Sequence, residues 1–172
     1  MPHIDHLYFY FLETMRNLKN TITDFPDKEV HHFGFRVVNE FSEVEMARME
    51  TAHTGTFKKY QLIVFHQYFL TVEHFKDQQI SDGCLWPTIK KTRVRRFSQD
   101  YKIADLHQIS NPLKNAKTKF FLVEMKVDAR KTLVFRFSRE KDAKMFTDLF
   151  KNLKEKVHSK ASINQLTLKA QT

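Results

Sequence analysis

Histidines and one cysteine are the residues of this 172-residue sequence whose types could suggest metal or nucleophilic chemistry. His3 and His6 are three positions apart, and His31 and His32 are adjacent. Zinc, however, requires three or four converging nitrogen or sulfur ligands. Cys84 has no second cysteine as a partner and no histidine-containing cysteine-protease signature beside it. The sequence therefore predicts no metal site and no cofactor.

Glycine is too scarce to build the loops that many enzymes use. The chain holds three glycines and contains no Gly-x-Gly-x-x-Gly motif, no Walker-type phosphate loop and no Gly-x-Ser-x-Gly elbow. Without a phosphate cradle or a nucleophile elbow, we expect a protein that is not an enzyme and has no catalytic residue.

Basic residues carry the strongest functional signal. The chain has a net charge of +9, which is unevenly spread. Residues 1–50 hold five Lys/Arg and nine Asp/Glu, a net of −4, so the remainder carries +13. This asymmetry indicates an anionic partner such as a membrane surface, a nucleic acid or an acidic protein. The candidate contact residues are Lys58, Lys59, Lys90, Lys91, Arg93, Arg95 and Arg96.

The cluster from Lys90 to Arg96 is open to three interpretations: a solvated surface, a contact with an acidic protein or membrane, or a nucleic-acid contact. Phe97 and Tyr101 beside it could stack on bases. The aromatic residues occur throughout the chain, however, so nucleic acid is the least favoured of the three partners.

The single cysteine and the absence of a long apolar run favour a cytoplasmic protein, with peripheral membrane attachment or a nuclear location left open. No signal peptide is evident at the N-terminus. Met1 could be the native start or the start of a fragment of a longer protein.

Residues 4–22 show helical periodicity that ends before Pro26, which predicts an N-terminal amphipathic helix within residues 1–26. One interpretation is a helix packed on the rest of the chain. The other is a partner-binding helix, which would use Leu7, Tyr8, Phe11, Leu12 and Met15.

Short aromatic and β-branched segments follow from Phe33 and predict antiparallel strands. Residues 60–65 and 68–72 are separated by two polar residues and predict a hairpin, and residues 120–127 and 131–137 predict a second one. Residues 40–54 fit a loop, a short helix or a strand, and residues 76–83 predict a polar loop.

Ser138 and Glu140 favour the start of a C-terminal helix that continues to Val157 and presents an apolar stripe. Residues 158–172 predict a flexible polar tail. We expect a structural core formed by Phe135, Phe137, Phe146, Leu149, Phe150 and Leu153.

This succession of strands closed by one helix resembles a pleckstrin-homology (PH) domain over residues 33–157. It is most similar to the PH domain of Dbl-type Rho guanine-nucleotide exchange factors, on the segments Lys58–Thr71, Tyr101–Leu106 and Phe120–Val157. The resemblance implies an α+β, mainly β fold: a seven-stranded antiparallel sandwich or barrel capped by the C-terminal helix, here with an extra N-terminal helix.

Two positions depart from the family. Phe146 stands where the family has a characteristic helix tryptophan, and Gln61 replaces the last basic residue of the pattern that holds inositol phosphates. The second departure weakens the expectation of a stereospecific phosphoinositide pocket and leaves weak attraction to an anionic leaflet, at about 1 kcal/mol per basic residue.

The resemblance implies a non-catalytic binding module, a membrane or protein adaptor linked to Rho GTPase signalling. Its partners would be acidic lipids or a protein such as a small GTPase. The catalytic domain of such exchange factors is a helical bundle larger than this chain, so exchange activity is not expected here. The alternatives are a protein-interaction scaffold or homodimerisation module without lipid binding, and a nucleic-acid-binding module.

Overall fold

The computed structural model describes residues 13, 15–26, 37–50, 53–81 and 88–170 of the chain. Residues 13 and 15–21 are helical and form the described part of α1. The other elements are β1 (Ile22–Thr23), β2 (Val37–Glu50), β3 (His53–Thr54), β4 (Lys58–Phe65), β5 (Tyr68–Ser81), β6 (Thr88–Lys102), β7 (Gln108–Ile109), β8 (Leu113–Lys114), β9 (Phe121–Lys126), β10 (Lys131–Phe137) and α2 (Glu140–Ala170).

The strands form one curved sheet in the order β1-β6-β5-β4-β2-β10-β9-β7, with β3 paired to β2 and β8 paired to β9. All pairs are antiparallel except β1 with β6, which is parallel. The long strand β2 links the two halves of the sheet, because it pairs with β4 on one side and β10 on the other. The result is a sandwich whose two halves face each other across a common core.

The main core lies between these halves and beneath α2. Strand side chains alternate between faces, and the inward residues of β2, β4, β9 and β10 are buried there. The helix contributes its apolar stripe at spacings of three and four. Of the core residues predicted from the sequence, Phe135, Phe146, Phe150 and Leu153 are buried, whereas Phe137 and Leu149 are partly buried against the same cluster. The α+β sandwich with a closing helix is therefore confirmed.

A second apolar cluster lies on the outer side of β4 and β5. It contains Ile63, Phe65, Leu70 and Val72 together with Met15 and Ile22, which belong to α1 and β1. Strand β4 is consequently buried on both faces from Tyr60 to Phe65, which explains its unbroken apolar run.

Met15 is 3% exposed, so its side chain packs within the chain, as the packed-helix interpretation of α1 requires. The other residues of the predicted partner helix, Leu7, Tyr8, Phe11 and Leu12, lie outside the described residues. The helix gives way to strand β1 at Ile22, which pairs with Arg95 of β6. This strand was not predicted from the helical periodicity.

The C-terminal segment also differs from expectation. Helix α2 continues to Ala170, whereas the sequence predicted a flexible tail from residue 158 onward. The segment contains Lys, Gln, Leu and Ala, which have good helix propensity, and no glycine or proline that would end the helix.

Candidate anion-binding site at the open end of the sandwich

One end of the sandwich is lined by the inner face of β2 at the point where this strand leaves the core. Val44 and Met46 are buried in the main core, and Arg48 is the next residue on the same face. Arg48 lies opposite Leu133 of β10 in the ladder. The alternation of β2 thus places a partly buried guanidinium group at the margin of the main core, beside the buried Tyr60 and Tyr101.

Three hydroxyl groups hold the Arg48 side chain. Its Nε donates to the Tyr101 hydroxyl at 3.0 Å and its Nη2 donates to Ser98 Oγ at 3.0 Å. Its Nη1 has a longer contact of 3.5 Å with the Tyr60 hydroxyl. The guanidinium also lies 5.3 Å from the centroid of the Tyr60 ring, within the range of a cation–π contact. These contacts fix the orientation of the cation without neutralising it.

The surroundings keep these groups in their ordinary charge states at neutral pH. Burial raises the pKa of both Tyr101 and Tyr60, although Arg48 opposes the shift, so both phenols stay protonated. Burial alone would lower the pKa of Arg48, but its interactions with Tyr101, Tyr60 and Glu73 reverse the direction, and the net pKa is raised. Arg48 therefore remains a cation, surrounded by hydroxyl groups and with the Glu73 carboxylate nearby.

Two lysines lie at the same end. Lys58 begins β4 opposite Met46, and Lys131 begins β10 opposite Glu50, so both positions share the inner face with Arg48. The Lys131 ammonium lies 5.8 Å from the Tyr101 ring centroid. We call Arg48, Lys58 and Lys131 the open-end cations. Within the described residues none of them has an ion-pair partner within 4.0 Å.

The short connection before β4 depends on one glycine. Gly55 N–H donates to the Arg48 carbonyl at 3.1 Å, which brings the two backbones so close that a Cβ at Gly55 would overlap that carbonyl oxygen. Phe57, two residues later, packs its ring 4.4 Å from the Arg136 guanidinium. The loop is thus fixed at both ends, and Arg48 is held from its backbone as well as its side chain.

We expect Gly55→Ala to lower the free energy of unfolding by roughly 1–3 kcal/mol, because relieving the overlap requires the loop or the end of β2 to shift. Urea denaturation measures the effect. Thr56→Ala is the matched control: Thr56 is exposed and adjacent, so its change should stay within about 0.5 kcal/mol. Equal stability of Gly55→Ala and the native chain would show that the loop is not packed this closely.

The predicted contact residue Lys59 lies outside the open end. It pairs with Glu43 at 2.7 Å on the outer face, and this hydrogen bond raises its pKa. Gln61, the departure from the family pattern, is 4% exposed on that same face. Its amide donates to Glu40 and its carbonyl accepts from Arg95 Nη1 at 3.4 Å.

The remaining predicted cations lie on β6. Arg96 is 3.6 Å from Asp24 and lies over the Phe75 ring at 4.8 Å. In the ladder with β5, Lys90 is opposite Gln79, Lys91 opposite Gln78, and Arg93 opposite Lys76. The structure therefore separates the predicted basic residues into Lys58 at the open end, Lys59 on the outer face, and a row along β6.

The sequence analysis missed Arg48 and Lys131 as site residues. Arg48 is a single basic residue in an acidic segment, and Lys131 begins an ordinary strand. The spacing of Val44, Met46 and Arg48 could have identified Arg48. If residues 40–50 form a strand, these three side chains share one face, so Arg48 lies on the face of the two core residues.

The side chains of the open end have the chemistry that binding an anion requires. Guanidinium and ammonium groups around hydroxyls are suited to phosphate or carboxylate oxygens. Among the described residues, no group of three or more His, Cys, Asp and Glu side chains is placed to hold a metal ion. None of the described helices is long and apolar enough to cross a membrane.

Taken together, the strand order and the closing helix define a PH-like fold. Solved structures of Vav1 share it. Inhibited Vav1 aligns with a TM-score of 0.57 at 11% identity, covering 85% of this chain and 33% of that chain. A structure of the Vav1 exchange factor with its PH and C1 domains aligns at 0.51 and 12% identity, covering 86% of this chain and 33% of that one. Autoinhibited Vav1 aligns at 0.51 and 12% identity, covering 84% and 22%.

This chain therefore spans a third or less of the length of these structures. A comparison with protein-family models finds no match. No curated protein matches the sequence either.

Proposed function

We propose that this chain is a non-catalytic PH-like binding module that attaches weakly to the anionic cytoplasmic face of a membrane. We further propose that it works within or beside an exchange factor for Rho-type GTPases. The observation that carries the first proposal is the set of open-end cations, Arg48, Lys58 and Lys131, which have no ion-pair partner among the described residues.

The charge balance at the open end supports an external anion. Some exposed cations elsewhere in the described residues have a carboxylate partner, as Lys59 has Glu43 and Arg139 has Asp142. At the open end Glu50 faces Lys131 across the ladder but is not within ion-pair distance. Lipid phosphates and carboxylates would supply the missing negative charge, at about 1 kcal/mol per basic residue near the surface.

The position of Gln61 favours attraction by charge over recognition of one headgroup. Its side chain is committed to Glu40 and Arg95 on the outer face, so it adds no donor to the open end. We therefore expect binding that scales with the negative charge of the surface and responds little to which phosphoinositide carries that charge.

Sedimentation with vesicles tests this proposal. The native chain should sediment with phosphatidylserine vesicles at low salt, remain free with phosphatidylcholine vesicles, and dissociate as salt rises, because exposed charges are screened. Vesicles with different phosphoinositides at matched charge should bind similarly. No sedimentation with any anionic vesicle at low salt would refute the membrane proposal.

The link to exchange factors is supported by the fold shared with Vav1, an exchange factor. A nucleotide-exchange assay with purified Rho-type GTPases tests directly the proposal that the chain is not catalytic. We expect the chain to leave the spontaneous rate unchanged. A catalytic acceleration by the native chain would contradict this part of the proposal without affecting the vesicle result.

A further inference from the structure

The segment Arg95-Arg96-Phe97-Ser98 of β6 ends in a serine that follows two arginines by three and two positions. Basophilic protein kinases bind substrates with this spacing, because carboxylates in their substrate groove pair with the two guanidinium groups. A second Arg-Phe-Ser sequence occurs at residues 136–138, but there Phe135 stands in place of the first arginine. The spacing therefore favours Ser98 as a kinase substrate over Ser138, although Ser138 is the more exposed of the two.

Ser98 lies at a bulge in the pairing of β6 with β5. Thr71 is opposite Gln99 and the next residue, Val72, is opposite Phe97, so Ser98 has no opposite residue on β5. The Thr71 hydroxyl both accepts from the Gln99 N–H and donates to the Gln99 carbonyl, at 3.1 and 3.0 Å. The extra residue of a bulge is left unpaired and the ladder is locally disrupted. The bulge thus presents a partly exposed serine where the strand pairing is interrupted.

The two arginines of this segment have weak contacts with the rest of the domain. The Arg96 Nε lies 3.6 Å from the Asp24 carboxylate with both side chains more than half exposed, and exposed pairs of this kind contribute little to stability. Arg96 also lies over the Phe75 ring at 4.8 Å. The Arg95 Nη1 donates to Gln61 at 3.4 Å, which is long for a hydrogen bond. The neighbouring strand β1 is two residues long. Local opening that frees both guanidinium groups is therefore expected to cost little.

Arg48 is adjacent to the Ser98 hydroxyl. Its Nη2 is 3.0 Å from Ser98 Oγ, so a phosphate on this oxygen would have its own oxygens beside the guanidinium. The Glu73 carboxylate acts on Arg48 from a distance, and no ion pair within 4.0 Å joins them. A phosphate carries a charge of about −1.5 to −2 at pH 7 and forms charge-assisted hydrogen bonds with arginine. It would thus more than offset the charge of Arg48.

We propose that Ser98 is a phosphorylation site for a basophilic serine kinase, and that its phosphate binds Arg48 and weakens the attachment of the open end to anionic membranes. The last part rests on the proposed function. In the transfer, Ser98 Oγ forms a bond to the γ-phosphorus of ATP, the bond from that phosphorus to the β–γ bridging oxygen breaks, and ADP leaves. The hydroxyl proton passes to the catalytic aspartate of the kinase.

Mass spectrometry of the full chain after incubation with ATP and the catalytic subunit of the cyclic-AMP-dependent protein kinase tests the site. The incubation is run at a temperature at which circular dichroism shows the chain to be folded. We expect one phosphate on Ser98 and none on Ser138, and no phosphate on the Ser98→Ala variant. A native chain without phosphate on Ser98, or with phosphate on Ser138 alone, would overturn the proposal.

Charge variants test recognition by the two arginines. Arg95→Gln with Arg96→Gln should slow the phosphorylation of Ser98 roughly tenfold or more. Lys141→Gln with Lys144→Gln removes the same charge from exposed positions of α2 and should leave the rate within about twofold of the native chain. Equal rates in the two pairs, with both variants folded, would show that the arginines do not direct the kinase.

Phosphorus NMR tests the contact with Arg48 independently of any membrane. The second pKa of phosphoserine is ordinarily about 6. In the phosphorylated chain it should be lower, because Arg48 stabilises the dianion, and Arg48→Gln should return it toward the ordinary value. A titration that is the same with and without Arg48 would overturn this contact.

Vesicle sedimentation tests the effect on attachment. The phosphorylated chain should bind phosphatidylserine vesicles roughly tenfold or more weakly than the unmodified chain, and removal of the phosphate by a phosphatase should restore binding. Equal binding of the two forms would refute the effect on attachment. If the unmodified chain did not sediment, the membrane proposal would fail together with this effect, whereas phosphate mapped to Ser98 would still establish the modification site.

Discussion

Phe146→Ala should lower the free energy of unfolding by roughly 3–5 kcal/mol, the range for deleting a large aromatic side chain from a core. Phe146 is fully buried and joins α2 to both halves of the sandwich. Its ring lies 5.3 Å from that of Phe41 on β2, 4.7 Å from that of Phe135 on β10, and 4.8 Å from that of Phe150 on α2. Truncation removes all of these contacts and leaves a cavity that the rigid strands cannot close.

Denaturation in urea, with the native chain measured alongside, gives this value. Met145→Ala is the matched control because Met145 is the preceding residue of the same helix and is 54% exposed, so its change should stay within about 0.5 kcal/mol. If Phe146→Ala were no more destabilising than Met145→Ala, α2 would not close the sandwich in the way described.

Leu70→Ala should cost roughly 2–5 kcal/mol, although Leu70 points away from the main core. It is fully buried in the second cluster, beneath α1 and β1. This loss of stability is expected only if α1 and β1 cover the outer face of the sheet, because Leu70 would otherwise face solvent. The measurement therefore tests the outer cluster as a structural unit.

A double-mutant cycle measures the coupling between Met15 of α1 and Leu70 of β5. Met15→Ala should also destabilise the chain, and the two changes combined should deviate from additivity by about 0.5 kcal/mol or more, since residues that share one cluster are coupled. A Met15→Ala variant as stable as the native chain, with additive effects, would mean that α1 does not pack on β4 and β5.

The parts of the fold that the sequence predicted well have strong local patterns. The pair β9 and β10 shows clear runs of apolar and β-branched residues, and α2 shows apolar residues at helical spacing. The turn at His66 and Gln67 separates two apolar runs, and the structure joins β4 and β5 there. Each of these elements is specified by neighbours in sequence, which explains why pattern alone was sufficient.

The elements that were missed depend on distant partners. Residues 76–81 are polar and predicted a loop, yet they continue β5 because β6 runs alongside them to Thr88. The secondary structure of residues 40–50 was ambiguous from the sequence. They belong to β2, which pairs with β4 on one side and β10 on the other. The pairing with β4 has register shifts between Val37 and Asn39 and between Phe41 and Val44. Irregular pairing of this kind disrupts the alternation from which strands are predicted.

The candidate site was predictable only in outline. The basic character of the region around Lys58 was visible in the sequence. The contribution of Arg48 was not, because this residue of β2 donates a hydrogen bond to Tyr101 of β6, which is 53 residues away in the sequence. Only the closed sandwich brings these side chains together. Conversely, Gln61 and Lys59 are close to Lys58 in sequence but belong to the outer face, because strand side chains alternate.

Vesicle binding by paired lysine variants is the measurement that tests the open-end site most directly. Lys58→Ala with Lys131→Ala should weaken binding to phosphatidylserine vesicles roughly tenfold to thirtyfold, because each basic residue contributes about 1 kcal/mol. Lys141→Ala with Lys144→Ala, which removes the same charge from exposed positions of α2, should leave binding within about twofold of the native chain. Equal losses in the two pairs would show that net charge alone drives the attachment and that the open end is not the site.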